Sequence, residues 1–376
     1  MASLDPARRR SLHSWKPGQE SWTLRRDSHD AGAALIDLAS NDYLGLSRHP
    51  ALIAAATQAI RNNGAGSGGS RLVTGSRPCH GRLERALGDW LGRDCVLLFP
   101  SGFQANLAAV SLLADRRSTV LADRLIHHSL LVGIRTSGAR LQRFRHNDLH
   151  DLEQRLSQLD TSNGSVLVIS ESLFSMEGTS PDVAALVDLC SRFGARLLID
   201  EAHALGVLGP GGRGLGFGHS DIAMLSGTFG KAFGSGGAFL ACDAELGDEL
   251  LQTSGAFRYT TALAPALVGA AEAALELIRT NPAWGEELIR RSECWRSALA
   301  KAGWQRPGGQ GPVLPLLIGA DADALAAQAQ LERGGLLSVA IRPPTVPEGT
   351  ARLRLVLRRD LPEGTLERLL QTLPSR

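Results

Sequence analysis

Short apolar runs alternate with stretches of helical periodicity between about Leu35 and Thr280, and no other feature of this 376-residue chain constrains its fold as strongly. The apolar runs often contain β-branched side chains, which is typical of strands buried on both faces. Helix-period stretches such as Gln104–Ala114, His150–Leu159 and Pro181–Phe193 lie between several of them. The alternation predicts an α/β fold with a mostly parallel sheet flanked by helices. The predicted strands are Cys95–Phe99, Thr119–Ala122, Arg140–Phe144, Val166–Ser170, Arg196–Asp200, Ala223–Thr228 and Ala238–Cys242.

The composition along the chain predicts three parts. Residues 1–34 form a polar, irregular N-terminal segment, residues 35–280 a large domain, and residues 281–376 a small C-terminal α+β domain. The elements predicted for the small domain are helices at Pro282–Ala302 and Asp321–Gly334 and strands at Val313–Ile318, Ser338–Ile341 and Arg352–Leu357.

Charge and cysteine usage argue against several classes of protein. With 40 basic and 38 acidic residues interspersed, the chain carries no electrostatic signature of nucleic-acid binding. No apolar run reaches the ~18 residues of a membrane span. The five cysteines are scattered, odd in number and without a CxxC pair, so we expect neither a disulfide framework nor a metal site. These features predict a cytoplasmic protein.

Lysine is nearly absent, and one of the three lysines has unusual neighbours. Lys16 and Lys301 lie in polar or helical surroundings, whereas Lys231 lies in a segment with two phenylalanines and five glycines. No carboxylate occurs from Ile222 to Cys242. An amine in an apolar pocket loses its proton more easily and becomes a nucleophile. Lys231 is therefore a candidate reactive amine. The alternative is an ordinary loop lysine that was retained while most other lysines were replaced by arginine.

Three further segments follow predicted strands. Ser101-Gly102-Phe103 joins a strand to a helix and could bind a phosphate at the helix N-terminus, or could be an ordinary turn with a serine cap. Asp200 and His203 stand at the carboxyl end of a predicted buried strand, where ligands bind in open α/β sheets. The pair His127-His128 follows another strand and could face the same crevice or lie in a surface loop.

The glycine-rich segment Gly64–Gly69 formally matches a dinucleotide-binding pattern. That pattern requires a strand before it and a helix directly after it. Here the helix-period stretch Pro50–Asn62 precedes the glycines. A nicotinamide-dependent oxidoreductase is therefore only an alternative, and close approach of the backbone to a ligand or partner subunit explains the glycines better.

Together the segments indicate one cofactor. Pyridoxal 5′-phosphate has a phosphate, a pyridine nitrogen that needs an acidic partner, a phenolic oxygen and an aldehyde that a lysine can capture. The phosphate-type turn, Asp200, His203 and Lys231 match these groups one by one.

With this combination of motifs, the chain resembles the α-oxoamine synthases, which are pyridoxal-phosphate enzymes with the fold-type I aminotransferase-like architecture. The matching stretches extend over most of the chain, from Ser40–Leu46 to Arg352–Leu355, and include Gly66–Arg71, Asp200–His203 and Thr228–Lys231. The segment Ile341–Pro347 resembles the 8-amino-7-oxononanoate synthase branch of the family.

The resemblance implies a role for each matching residue. Lys231 would hold the cofactor covalently and act as a base, Asp200 would bind the pyridine nitrogen, His203 the phenolic oxygen, and His127 would stack on the ring. The remaining expected cofactor contacts are Gly102, Phe103, Ser175 and Thr228, with Thr260 and Thr261 reaching the partner's phosphate in a homodimer that shares its active site. The expected substrate residues are Asn41, Arg342 and Thr345.

The resemblance also implies the reaction, a decarboxylating condensation of L-alanine with a pimeloyl thioester, carried by CoA or by a carrier protein, to give 8-amino-7-oxononanoate for biotin biosynthesis. The alternatives are a sister enzyme that uses glycine and a short acyl-CoA, like 2-amino-3-ketobutyrate ligase, and a cofactor-free interaction protein on a decayed enzyme scaffold. The chain departs from the family at Ile126 and His128, where small residues are common. The family's N-terminal arginine has only Arg8, Arg9 and Arg10 as candidates.

Overall fold

The structure, a computed structural model, describes residues 5–27, 32–159 and 164–374. Contacts between residues divide the chain into two units. The large unit comprises Leu46–Phe174 and Ser180–Gly285, and the small unit comprises the described residues up to Gly45, Ser175–Thr179 and those from Glu286 onward. The sequence-based boundaries were residues 34 and 280, with the N-terminal segment separate from the small domain. The contacts instead place the described residues up to Gly45 in the same unit as the C-terminal part, because β3 (Leu35–Asp37) pairs with a strand from that part.

The strands that were predicted agree with the observed ones to within two residues. Four short strands in the described part of the chain were not predicted, and two of them, Trp15–Pro17 and Thr23–Arg26, lie in the N-terminal segment that was expected to be irregular. The strands are β1 (Trp15–Pro17), β2 (Thr23–Arg26), β3 (Leu35–Asp37), β4 (Cys95–Phe99), β5 (Thr119–Asp123), β6 (Arg140–Phe144), β7 (Val166–Glu171), β8 (Arg196–Asp200), β9 (Met224–Thr228), β10 (Ala238–Cys242), β11 (Val313–Gly319), β12 (Leu336–Leu337), β13 (Val339–Ile341) and β14 (Ala351–Val356).

The α-helices begin and end close to the predicted periodic stretches. They are α1 (Pro50–Asn63), α2 (Pro78–Leu91), α3 (Gly102–Leu113), α4 (His128–Ser137), α5 (Leu149–Ser157), α6 (Val183–Arg192), α7 (Ala244–Thr253), α8 (Gly255–Arg258), α9 (Pro265–Thr280), α10 (Trp284–Lys301), α11 (Asp321–Arg333) and α12 (Thr365–Thr372). Three helices start two residues away from the predicted position, namely α3, α6 and α10. Helix α6 begins after Asp182, whose side chain accepts the N–H of Ala185 at 3.0 Å, and not at Pro181.

The large unit is built around a seven-stranded sheet with the order β4-β10-β9-β8-β7-β5-β6. The strands from β9 to β6 pair in parallel, and β10 runs antiparallel to both of its neighbours. The short connection Phe229–Gly237 joins β9 to β10, and so short a link forces the second strand to run back. The prediction of a mostly parallel sheet with flanking helices is confirmed.

Helices α3 and α4 cover one face of this sheet. Ala105, Ala108 and Ala109 of α3 are buried in the same apolar cluster as Val120 of β5 and Ile169 of β7. Alanine at these positions lets the helix backbone approach the sheet closely. The neighbouring strand residues, whose side chains point to the opposite face, are also buried, because both faces of the sheet are covered.

Parallel pairing brings the carboxyl ends of four strands to one edge of the sheet. Strands β5, β7 and β8 end on Asp123, Glu171 and Asp200, and β9 ends on Thr228. Ligands bind at this edge in open α/β sheets. Glu171 and Asp200 line a cavity there, whereas the carboxylate of Asp123 pairs with His146 at 3.0 Å.

The small unit contains two smaller sheets, with the orders β1-β2-β3-β12 and β11-β14-β13. The guanidinium of Arg358 is almost fully buried in this unit and donates to Asp37 at 3.1 Å and to Asp360 at 2.9 Å. Among the described residues, no helix is long and apolar enough to cross a membrane.

Candidate active site

A cavity of about 210 Å³ lies in the large unit at the carboxyl edge of the sheet. It brings together seven of the residues that the sequence analysis named for the cofactor. Its lining residues are Gly102, Phe103, Asn106, His127, Glu171, Asp200, Ala202, His203, Ser226, Gly227, Thr228 and Lys231. A larger hollow of about 480 Å³ between α1, α2 and α9 contains no comparable cluster, and its Arg82 and Glu272 already pair with each other at 3.1 Å.

Asp200 is held on both of its carboxylate oxygens. Its Oδ2 accepts a hydrogen bond from Asn106 Nδ2 at 2.7 Å, and its Oδ1 accepts one from the backbone N–H of Ala202 at 2.9 Å. The side chain is 5% exposed. Two fixed donors set the orientation of the carboxylate towards the cavity.

His127 occupies the N-cap position of α4. The ring nitrogen Nδ1 accepts the backbone N–H of Ser129 at 3.3 Å and lies 2.7 Å from Ser129 Oγ. The backbone N–H of His127 donates to Glu171 Oε1 at 2.5 Å. Burial lowers the pKa of His127, the charges of Lys231 and His128 lower it further, and Asp200 opposes them. The lowered pKa favours the neutral imidazole, and the helix cap fixes its orientation.

Glu171 and Asn106 line the cavity, and the sequence analysis did not single them out. Burial raises the pKa of Glu171 well above its ordinary value, the charge of Asp200 raises it further, and Lys231 lowers it. A signal was available for Glu171, which follows the predicted strand Val166–Ser170 directly, as Asp200 ends its own strand. Asn106 lay inside a helix-period stretch, where nothing distinguished it from a surface residue.

Lys231 lies in the connection between β9 and β10, where the sequence analysis expected an apolar pocket. Phe229 and Phe233 are indeed buried and pack edge to face at 5.5 Å. No carboxylate is close to Lys231 in sequence, but one is close in the fold, because Lys231 interacts electrostatically with the carboxyl group of Glu171. That carboxylate comes from a distant part of the chain, which the local sequence could not show.

The first turn of α3 could bind an anion. Ser101 caps this helix by accepting the N–H of Gln104 at 3.3 Å, and Gly102 and Phe103 are the first helical residues. The backbone N–H groups in the first turn of a helix have no acceptor within the helix, so those of Gly102 and Phe103 point out of its N-terminal end. Thr228 lies beside them, since a Cβ at Gly102 would be 3.8 Å from the Thr228 side chain.

Glu201 and His203, which follow Asp200 in the motif, have different surroundings. His203 lines the cavity, whereas Glu201 is absent from the lining. The carboxylate of Glu201 accepts the N–H groups of Gly216 at 2.6 Å and Leu215 at 3.3 Å. Burial raises the pKa of Glu201 to about 7. Glu201 thus anchors a loop.

Thr260 and Thr261 lie apart from this cavity, in a surface hollow of about 430 Å³ that also contains Val73 and Tyr259. Thr261 forms a β-bridge with Ser70, directly after the glycine-rich segment. That segment begins where α1 ends and leads into a π-helical turn at Arg71–Gly75, so the strand–glycine–helix arrangement of a dinucleotide site is absent from this part of the structure.

The predicted substrate residues and Ser175 lie in the small unit. There Arg354, which the sequence analysis did not name, donates to the carbonyl of Ser175 at 2.6 Å and to Asn41 Oδ1 at 2.9 Å. Arg342 donates to the carbonyl of Ala7. Arg10, one of three N-terminal candidates, lies 3.3 Å from Thr345 Oγ1.

The two departures from the family pattern have different surroundings. Ile126 is 5% exposed and packs into the apolar cluster beneath α3 and α4. His128 is exposed at the first position of α4. No group of three or more potential ligands for a metal ion occurs among the described residues.

Comparison with known proteins gives a consistent assignment. The family model for class I and II aminotransferases matches residues 33–373. The 8-amino-7-oxononanoate synthase of Gluconacetobacter diazotrophicus is 42% identical over 357 residues, which cover 93% of this chain and 89% of that protein. A solved serine palmitoyltransferase containing pyridoxal phosphate superimposes with a TM-score of 0.90 at 27% identity, covering 96% of this chain and 91% of the other. The crystal structure of 8-amino-7-oxononanoate synthase from Francisella tularensis gives a TM-score of 0.77 at 25% identity, covering 90% of this chain and 95% of the other.

Proposed function

The chain belongs to the class I and II aminotransferase family, and from this membership we propose that it is an acyltransferase that condenses L-alanine with a pimeloyl thioester, with loss of carbon dioxide, to give 8-amino-7-oxononanoate. The observation that carries the proposal is the convergence of Lys231, Asp200, His203 and the first turn of α3 on one cavity. The nearly full-length similarity to a relative of that name gives the substrates. No observation favours the sister enzyme that uses glycine.

The residues of the cavity fit pyridoxal phosphate. Lys231 would hold its aldehyde, Asp200 its pyridine nitrogen, and His203 its phenolic oxygen. The amides of Gly102 and Phe103 and the hydroxyl of Thr228 would bind its phosphate. The buried carboxylate of Asp200 and the open N–H groups of α3 are complementary to a ligand that is cationic at one end and anionic at the other.

When bound, the cofactor supplies an electron sink that acidifies the Cα–H bond of the amino acid. The task of the chain is then to move protons and to hold the substrates. Lys231 Nζ takes the Cα proton as general base, and the neutral His127 ring packs beside the reacting centre. The new carbon–carbon bond forms between Cα of alanine and the thioester carbonyl carbon, and the thiol leaves. The former carboxyl group then departs as carbon dioxide, and a proton is returned to the same Cα to complete the product.

We propose that the small unit supplies the substrate contacts. Asn41, Arg342 and Thr345 keep the roles that the resemblance implies, and Ser175 contacts the cofactor. Arg354 joins them, because its buried guanidinium donates only to uncharged acceptors in the two hydrogen bonds formed with Asn41 and Ser175. A guanidinium so placed can bind the carboxylate of the amino acid.

We further propose a homodimer in which Thr260 and Thr261 reach the partner's cofactor phosphate. Support comes from the exposed side chains around them: Val73 is 76% exposed and Tyr259 is 81% exposed. Apolar side chains clustered on a surface in this way are typical of a subunit interface. A cytoplasmic location remains a prediction from the scattered cysteines.

The test is a visible-absorption titration of the purified protein with L-alanine, then glycine, and finally pimeloyl-CoA. We expect bound pyridoxal phosphate, a spectral change with alanine, and a product with the mass of 8-amino-7-oxononanoate. A protein that binds no pyridoxal phosphate, or that condenses glycine in preference to alanine, would contradict the proposal.

A further inference from the structure

A continuous line of hydrogen bonds connects the buried Asp200 to His127, whose side chain is partly exposed, although these two residues lie on different elements. Asp200 Oδ2 accepts from Asn106 Nδ2 at 2.7 Å, and the same Nδ2 donates to Ser129 Oγ at 2.9 Å. Ser129 Oγ in turn lies 2.7 Å from His127 Nδ1. Asn106 and Ser129 are 3% and 0% exposed, so water is excluded from the bonds that Asn106 forms with Asp200 and Ser129.

The charge at one end fixes the direction of every bond in this line. A carboxylate only accepts, so Asn106 must turn its amide nitrogen and not its oxygen towards Asp200. The amide oxygen then accepts from Ser226 Oγ at 2.6 Å, and the second N–H of Asn106 points at Ser129. Because Ser129 Oγ accepts that hydrogen, its own hydrogen is directed to His127 Nδ1.

A second, independent donor reaches the same nitrogen of His127. The backbone N–H of Ser129 donates to His127 Nδ1 at 3.3 Å, as it does in a helix N-cap. A backbone N–H cannot reverse its direction, so this bond favours a lone pair on Nδ1 and the ring hydrogen on Nε2. At 3.3 Å it is weaker than the 2.7 Å bond with Ser129 Oγ, so the hydroxyl makes the larger contribution. The line of bonds from Asp200 and the helix cap therefore agree on one tautomer.

We propose that Asn106 and Ser129 are positioning residues that transmit the charge of Asp200 to His127 and select its neutral Nε2–H tautomer. Their importance for catalysis rests on the proposed function, in which both Asp200 and His127 contact the cofactor. The ring that packs beside the reacting centre is then always neutral and always presents the same donor. The titratable groups facing His127 are Asp200 from β8, Lys231 from the β9–β10 connection, His128 on α4 and Glu171 from β7.

The experiment measures the tautomer directly. Protein labelled with 15N at its ten histidines gives a long-range proton–nitrogen spectrum in which protonated and unprotonated ring nitrogens separate, and the signal of His127 is assigned with His127→Gln. For the unsubstituted protein we expect an unprotonated Nδ1 and a protonated Nε2. In Asn106→Ala and Ser129→Ala we expect loss of the unprotonated Nδ1 signal in part of the population and an upward shift of the His127 pKa. The shift is upward because Ser129→Ala removes the hydroxyl that donates to Nδ1, and Asn106→Ala removes the bond that turns that hydroxyl towards the ring.

Ser226→Ala is the matched control, because it removes a bond to the same asparagine but leaves both Nδ2 bonds in place. Its His127 tautomer should be that of the unsubstituted protein. An equal change in Ser226→Ala would mean general loosening of the cavity and would overturn the proposal. So would a change in Ser129→Ala that Asn106→Ala does not share, since Asn106 does not touch His127 except through the relay.

Two features keep the test decisive. If Asn106→Ala fails to fold, Ser129→Ala serves in its place, because it removes only one oxygen atom from a helix. An unchanged tautomer in that folded variant refutes the relay. The spectra are recorded with and without pyridoxal phosphate. Failure to bind the cofactor would count against the proposed function, whereas the tautomer of His127 decides the relay in either case. In the active enzyme, the acidic limb of the kcat/KM pH profile should move to higher pH in both relay variants.

Discussion

The guanidinium of Arg354 donates a hydrogen bond of 2.9 Å to the side-chain oxygen of Asn41. The same arginine donates to the carbonyl oxygen of Ser175 at 2.6 Å. One buried cation of the small unit thus fixes two residues that the sequence resemblance had assigned to cofactor and substrate. Neither residue neutralises its charge, which suits Arg354 to an anionic group of the substrate.

Replacing Arg354 with lysine should raise KM for L-alanine by about 10- to 100-fold, because a charge-assisted hydrogen bond is worth about 1.5–3 kcal/mol and an ammonium cannot reproduce the planar fork. Steady-state kinetics at varied alanine concentration measure the effect. Arg352→Lys is the matched control, since Arg352 stands two residues away on the same strand and pairs with Glu177. Equal effects of the two substitutions would remove Arg354 from the substrate site.

Lys231→Ala should abolish the covalent attachment of pyridoxal phosphate and lower kcat by about 10²–10⁴-fold, because the variant lacks the general base. The change is followed by visible absorption and by mass spectrometry after borohydride reduction. Lys301→Ala, at the end of α10, provides a control in a chain with only three lysines. Full product formation by Lys231→Ala would refute the assigned role.

Val73→Glu and Tyr259→Glu should each convert the dimer to a monomer, because burying an unpaired carboxylate in an interface costs several kcal/mol. Light scattering after size-exclusion chromatography should show the molar mass halved. Activity should fall together with the dimer if Thr260 and Thr261 serve the partner's site. Leu12→Glu, a substitution at a fully exposed residue of the small unit, should leave the mass unchanged. Dimers that persist in both variants would place the interface elsewhere.

The buried Glu201 should make stability depend on pH. Its pKa is raised to about 7 in the folded protein, so the folded state holds this proton more tightly than the unfolded chain does. Its contribution to the free energy of unfolding is therefore largest below the unfolded pKa and is lost as pH rises from about 4.5 to 7. The loss is at most about 3 kcal/mol.

Glu201→Gln cannot ionise and should lack this pH dependence. Urea unfolding of both proteins at several pH values from 5 to 8 gives the difference in unfolding free energy, which should shift in favour of the variant as pH rises. The exposed substitution Glu249→Gln serves as the control. Parallel curves for the unsubstituted protein and Glu201→Gln would show that burial does not perturb this carboxyl group.

Much of the fold could be predicted from the sequence, because the central strands are buried on both faces. Cys95–Phe99, Arg140–Phe144 and Arg196–Asp200 were predicted with the bounds that the structure has. Apolar runs bounded by helix-period stretches have few alternatives to a covered parallel sheet. The division into units was harder to read, because β3 near the N-terminus pairs with β12 near the C-terminus, and such long-range pairing leaves no local signal.

By itself, then, the sequence determined the fold class and the positions of the strands in the large sheet, and it indicated Lys231, Asp200 and His203 as candidates, because backbone preference and motif chemistry are local properties. Only the tertiary structure decided which groups surround them. Glu171 comes to Lys231 from another strand, and Asn106 comes to Asp200 from a helix whose sequence gave no sign of a function. The protonation state of a buried group depends on neighbours within a few ångströms, and in a folded chain most of those neighbours are distant in sequence.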